Sequence, residues 1–332
     1  MKLIDAIADP QAAIRNACQV LAMGEPVAIP TETVYGLAGD IHNARSIRRI
    51  YEIKGRPAHN PLICHVSSLS MAEEYVSFNE SARTLAEAFW PGPLTLVLSR
   101  RVTSAALELA SANLPTLAIR VPEGISRDLI ERFGRGLAAP SANRSGCLSP
   151  TSAGHVHAGL GDKVPLIMDG GPCNIGLEST VVDVTEAHCR LLRPGGLDAA
   201  AIERVLGEKL WGPVQDCALP SPGMMSSHYA PRAAVRLNCT HVFPGEAVVT
   251  LGPHPVSGAE TAASVVNLSE SGDLNEAAFR LFDALKRADD SGAKTIAVVA
   301  IPAVGIGNAI NDRLQRSAAP RPTQISSVTG DQ

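Results

Sequence analysis

VAIPTETVYGLAGDIHNARSIRRIYEIKGRPAHNPLICHV, residues 27–66, decides the fold. It opens on a short apolar run at 27–30, crosses a stretch of hydroxyls, turns helical, stops at a glycine and re-enters an apolar run at 61–66. Ile47, Ile50 and Tyr51 recur at three- and four-residue spacing, the mark of a helix, and Gly55 is the residue type that closes a helix in the left-handed conformation. Strand, helix, strand is the unit of an α/β sheet. Working outward, LTLVLS at 94–99, LAIRVP at 117–122, PLIMD at 165–169 and STVVDV at 179–184 read as further strands, and LDAAAIERVLG at 197–207 as a closing helix with its own glycine cap. Residues 1–208 are expected to form one large α/β domain.

Residues 209–233 are rich in Pro, Ser and Gly and lack periodicity, so they read as a linker. Beyond them, AVVTLG at 247–252, KTIAVVAIP at 294–302, AINDRLQR at 309–316 and a helix carrying Leu274, Ala277, Ala278, Leu281, Phe282 and Leu285 describe a smaller α/β unit over 234–332. A chain of 332 residues suits two domains, and 45% hydrophobic content is enough for two cores. The formal charge of -4 provides no global field toward nucleic acid or anionic lipid, so any polyanion site must be local.

Seven cysteines lie scattered with no Cys-x-x-Cys pair, which argues against a disulfide framework or a zinc finger. The first residues carry acids and a proline where a signal peptide needs an apolar core, and no apolar run is long enough to cross a bilayer. A cytoplasmic protein without membrane contact is the expectation. No P-loop, nucleophile elbow or HExxH motif is present, and GIGNAI at 305–310 lacks the third glycine of a dinucleotide fingerprint and reads as a strand-to-helix turn. His155 and His157, two apart on a helix, point to different faces, so no protein-built metal site is expected.

The segment 44–57 holds five bases and one acid. Projected at about 100° per residue, Arg45, Arg48, Arg49 and Glu52 share one side, whereas Lys54 follows the stripe of Ile47, Ile50 and Tyr51. A lysine there either snorkels past the helix end or lines a pocket for an anion. PTETVYGL at 30–37 and APSANRSGCLSPTS at 139–152 are dense in hydroxyls and amides, which close turns or present donors to phosphate and ribose.

In order and spacing, IPTETVYGL, KGRPAHNPLICHV, FWPGPLT, LAIRVP, APSANRSGCLSPT, ESTVVDV and LLRPG resemble the YrdC family, and SPGMMSSHYAP at 221–231 with GIGNAINDRLQRSA at 305–318 resembles its long, two-domain form. The resemblance implies a twisted mixed-sheet catalytic domain, an ordered linker and a Rossmann-like C-terminal domain. It also implies a reaction: L-threonine, bicarbonate or carbon dioxide, and ATP give threonylcarbamoyl-adenylate and pyrophosphate, the first step toward threonylcarbamoyladenosine in tRNA. The family's catalytic pair falls on Lys54 and Arg56. Its ATP contacts fall on Lys54, Arg56, Asn60, Thr116, Asn143, Thr151, Arg193 and Tyr229, and its threonine contacts on Thr33, His65, Arg120, Ser141 and Ser179. Magnesium would arrive with ATP. Downstream threonylcarbamoyl-transferase proteins would take the product, and contact with tRNA would be indirect or weak.

SPGMMSSHYAP is expected to close as a lid that brings His228 and Tyr229 near the nucleotide; Met225, Ser226 and Ser227 stand where many family members carry bases. Two rivals fit less well. An RNA-binding module would need a basic balance and more than two Trp and four Tyr for stacking. A carbamoyltransferase of the hydrogenase-maturation type would need paired Cys-x-x-Cys fingers and further domains.

Overall fold

The computed structural model describes residues 1–212 and 228–320. The first unit contains β1 (Lys2–Asp5), α1 (Pro10–Ala22), β2 (Val27–Ile29), β3 (Gly36–Asp40), α2 (Ala44–Lys54), β4 (Ile63–His65), α3 (Leu69–Tyr75), α4 (Glu80–Phe89), β5 (Leu94–Ser99) and α5 (Ala105–Ala110). It continues through β6 (Thr116–Arg120), α6 (Ile125–Phe133), β7 (Leu137–Ala138), α7 (Ala153–Leu160), β8 (Leu166–Asp169), β9 (Thr180–Asp183), β10 (Arg190–Arg193) and α8 (Ala199–Leu206). Its strands form one ten-stranded mixed sheet in the order β1-β8-β2-β3-β7-β4-β6-β5-β9-β10. The second unit carries β11 (Ala234–Arg236), β12 (Ala247–Thr250), β13 (Ser264–Asn267), α9 (Leu274–Asp290), β14 (Thr295–Val298) and α10 (Gly307–Ala318). Its four strands run parallel in the order β11-β14-β12-β13. Among the described residues no helix is long and apolar enough to cross a membrane.

Alternation along the strands assigns the two faces of the site-bearing part of the sheet. Cys64, Leu96, Ile119 and Val182 point into a core that also takes Ile47 and Ile50 of α2, Leu85 of α4, Leu107 of α5 and Ile202 of α8. The intervening residues Ile63, Val97, Ala118 and Val181, joined by Leu192, form a separate apolar patch on the opposite face. His65 and Arg120 lie two residues on from Ile63 and Ala118, in register with each other, so they stand on that same face. The site is built there.

Helix α2 is fixed at both ends by the residues its sequence supplies. The Asn43 side chain accepts from the backbone N–H groups of Arg45 and Ser46, and Gly55 closes the helix at φ 59°. That turn carries Lys54 to the carbonyls of Ser141 and Asn143 and Arg56 to those of Asn60 and Pro61. The second unit shares its core with the first: Val34 and Leu177 pack in one cluster with Tyr229, Leu281, Phe282, Ile310 and Leu314.

Candidate active site

A small cavity on that face is lined by Thr31, Thr33, Arg56, His65, Arg120, Ser141, Glu178, Ser179, Arg193, His228 and Tyr229, among others. Eight of the thirteen residues expected from sequence therefore line one space: Thr33, Arg56, His65, Arg120, Ser141, Ser179, Arg193 and Tyr229. Lys54 and Asn60 stand directly behind that wall. The Lys54 ammonium donates to the carbonyl oxygens of Ser141 and Asn143 at 2.5 and 2.6 Å. Arg56 donates through Nε to Asn60 O at 2.9 Å and through Nη2 to Asn60 Oδ1 and Pro61 O at 2.5 and 2.7 Å. Of the two readings of Lys54 open from the sequence, snorkelling fails: the residue is only 3% exposed.

The remaining three lie further off. Asn143 lines a neighbouring cleft, and its Oδ1 is buried with no hydrogen-bond partner among the described residues. Thr151 shares its hydroxyl with His155 Nδ1 at 3.3 Å. Thr116 begins β6, four residues and about 13 Å along the strand from Arg120, and does not line the cavity.

At the threonine end of the expected site, Arg120 is buried, and three of its five N–H groups are engaged. It donates to Gly92 O at 3.0 Å and Thr33 Oγ1 at 2.9 Å, and Nη2 closes a short ion pair with Glu32. Ser179 Oγ lies 2.7 Å from Thr95 Oγ1, and Arg193 Nη2 donates to Ser179 O at 2.8 Å and to its hydroxyl at 3.2 Å. Gly195 makes this possible by close approach, since a β-carbon there would sit 2.3 Å from Glu178 O and 2.4 Å from Ser179 C.

The electrostatics are lopsided. Burial, and then the repulsion of Arg56, hold the Lys54 amine well below the usual lysine range. Burial lowers the Arg56 guanidinium to about 10. Among the described residues neither cation forms an ion pair, so their charge is met only by carbonyl, amide and hydroxyl dipoles. Burial together with Arg120 pushes the His65 imidazole down to about 3. Burial also takes His228 to about 3, helped by Arg56, Lys54 and Arg193 and opposed by Glu178. Both rings are neutral near pH 7. Glu178 is the exception: burial would raise its carboxyl, but Arg313, Arg193 and the Ser149 hydroxyl hold it below the usual carboxylate range.

Glu32, Glu178, Thr95 and Arg313 were not singled out by sequence reasoning. For Arg313 a signal was present, because it falls in phase with Ile310, Leu314 and Ser317 on α10, the same charge-in-stripe pattern that exposed Lys54. The two acids are occupied by Arg120 and Arg313. Among the described residues no group of three or more His, Cys, Asp or Glu could hold a metal ion. Of the stretch expected to act as a lid, 221–227 lies outside the described residues, including Met225, Ser226 and Ser227, as does 213–220 of the linker. His228 and Tyr229 do border the cavity, their rings 4.1 Å apart and edge to face.

The sequence model of a family described as "Telomere recombination" (Sua5, YciO, YrdC) matches residues 19–195, and one described as "Threonylcarbamoyl-AMP synthase, C-terminal domain" matches 197–319. The chain is 39% identical to the threonylcarbamoyl-AMP synthase of Pyrococcus abyssi, over 93% of this chain and 94% of the relative. It is 38% identical to that of Bacillus subtilis, over 94% of each. The crystal structure of P. abyssi Sua5 complexed with L-threonine superposes with a TM-score of 0.82 at 37% identity, covering 92% of this chain and 94% of that one.

Proposed function

The chain belongs to the threonylcarbamoyl-AMP synthase family, and from that premise we propose that its cationic cavity joins L-threonine, carbon dioxide or bicarbonate, and ATP into threonylcarbamoyl-adenylate and pyrophosphate. The observation that carries this reading is the pair Lys54 and Arg56: two buried cations, neither in an ion pair among the described residues, beside a loop of hydroxyls and amides. Buried charge is costly unless it is matched. A triphosphate supplies the missing counter-charge.

On this reading threonine lies toward Arg120, Thr33, His65, Ser141 and Ser179. Arg120 faces the amino-acid carboxylate, and the hydroxyls of Thr33 and Ser179 meet the polar side chain. The threonine amine attacks carbon dioxide, loses a proton and becomes a carbamate. A carbamate oxygen then attacks the α-phosphorus of ATP in line, and the bond to the leaving pyrophosphate breaks. Two anions must meet for this, so the protein's task is positive charge and alignment more than proton transfer. Lys54 acts as a point charge, while Arg56 and Arg193 offer planar forks to phosphate or ribose oxygens.

Asn60, Asn143, Thr151 and Tyr229 border or back the nucleotide's path, and Thr116 would contact only its far end. Magnesium enters with the triphosphate, because Glu178, which lines the cavity, and Glu32, which stands behind Arg120, already carry arginines. The mixed anhydride must be kept from water, and the buried His228 and Tyr229 wall the cavity. The product passes to threonylcarbamoyl-transferase proteins of tRNA modification in the cytoplasm.

Pyrophosphate release from ATP, with and without threonine and bicarbonate, tests the proposal. Release should depend on both additions and fall by about 100-fold or more in Lys54→Ala and in Arg56→Ala, the scale seen when one preorganised charge is removed. Release indifferent to threonine, or intact in both variants, would overturn it.

A further inference from the structure

We propose that Arg313, contributed by the second unit, is a positioning residue for the nucleotide site: it holds the Glu178 carboxylate aside and keeps that negative charge off the place a phosphate takes. This rests on the reading of the cavity as a nucleotide site.

Arg313 lies mid-way along α10 and is 0% exposed. Its Nε donates to Glu178 Oε2 at 2.7 Å, and the Ser149 hydroxyl donates to the other carboxylate oxygen, so both oxygens are pinned. Glu178 nonetheless lines the cavity beside Ser179 and Arg193. Its charge acts on Arg193, Tyr229 and His228. Released from Arg313, it would turn to the nearest cation and set a negative charge where a phosphate must sit.

The second unit grips this segment at two further points. Helix α9 seats over Gly176, two residues before Glu178; a β-carbon at that glycine, which holds φ +79°, would lie 2.5 Å from Phe279 O and 2.6 Å from its Cα. The Arg313 guanidinium stands 5.1 Å from the centre of the Tyr229 ring, and Ser317 donates to Tyr229 O at 2.7 Å. Tyr229 itself is held at φ +58°, a left-handed conformation that a tyrosine keeps only under such restraint. Among the described residues of the C-terminal unit none lines the cavity. That unit decides which way the cavity's acid faces.

The test is binding of Mg-ATP by titration calorimetry to the full chain, to Arg313→Met, to Glu178→Gln and to the double variant, with circular dichroism to establish folding. Arg313→Met should weaken ATP at least about tenfold, and adding Glu178→Gln should recover most of the loss, because the stray carboxylate is what does the harm. Apparent threonine KM should move far less than that for ATP. A double variant no better than Arg313→Met, or equal losses for ATP and threonine, would make Arg313 a merely structural residue and overturn the inference. If Arg313→Met does not fold, Arg313→Lys with and without Glu178→Gln carries the same comparison. A wild type that binds Mg-ATP yet releases no threonine-dependent pyrophosphate would fell the reaction proposed above and leave this inference standing.

Discussion

Helix α2 of the first unit and helix α10 of the second each place a cation on an apolar stripe, and the two cations have opposite surroundings. Lys54 ends its helix and, among the described residues, donates only to carbonyl oxygens, with Arg56 repelling it from nearby. Arg313 sits mid-helix against the Glu178 carboxylate, with Asp312 on its other side. Of these two, the charge buried opposite its counter-ion belongs to the architecture, whereas the one buried opposite dipoles leaves the counter-ion to a ligand. Position on the helix cannot separate the two cases; what stands across the gap does.

Chemical denaturation should separate them most widely. Arg313→Met strands a buried carboxylate and should lower the unfolding free energy by about 3–5 kcal/mol. Lys54→Met leaves no charge behind and should cost about 1–3 kcal/mol for two carbonyls that lose a donor. Equal losses would erase the distinction between the two helices.

Acid sharpens the contrast at an intermediate scale. His65 and His228 titrate near 3 in the fold against an ordinary value near 6.5, so between those limits the unfolded chain binds the extra protons. Stability should therefore fall as pH drops from 6.5, by up to about 1.4 kcal/mol per pH unit for each ring. Glu178, held below the usual carboxylate range, adds its own loss only as pH falls further, when its partner Arg313 faces a neutral acid. Urea unfolding at pH 7, 6 and 5 reads the slope, and His65→Gln should remove about half of it; an unchanged slope would place the protons elsewhere.

The smallest effect belongs to the outer side of α2. Arg49 pairs with Glu25 at 3.5 Å and Glu52 at 3.4 Å in open solvent, so Arg49→Ala should change stability by less than about 1 kcal/mol and leave the apparent KM for ATP alone. A large shift in either would mean that the solvated face of α2 takes part in the site.

Strands rich in Val, Ile and Leu and the glycine-ended helices were readable because local pattern and tertiary burial agree there. LTLVLS became β5 residue for residue, and Gly55 and Gly207 both close helices in the left-handed conformation. Strands such as GLAGD in β3 and KLID in β1 were not, since small or charged residues enter a sheet when their neighbours enforce it. Eight of the thirteen expected site residues meet at one cavity, but Glu178 and Arg313 lie 135 positions apart, and no local pattern announces such a pairing. The placement of Thr116 shows the converse limit: a motif fixes a strand, while only the register shows how far along it a side chain stands.

The seam through Gly176, Glu178 and Tyr229 has a consequence for descent. With Val34 and Leu177 buried among Phe282, Ile310 and Leu314, neither unit can be exchanged for a foreign counterpart without opening a hole in the other. A bulkier residue at 176 needs a retreat of the backbone at 279, and a shorter one at 313 needs a neutral one at 178. Heritable change at these places is therefore constrained to come in pairs, and the two halves must diverge in step.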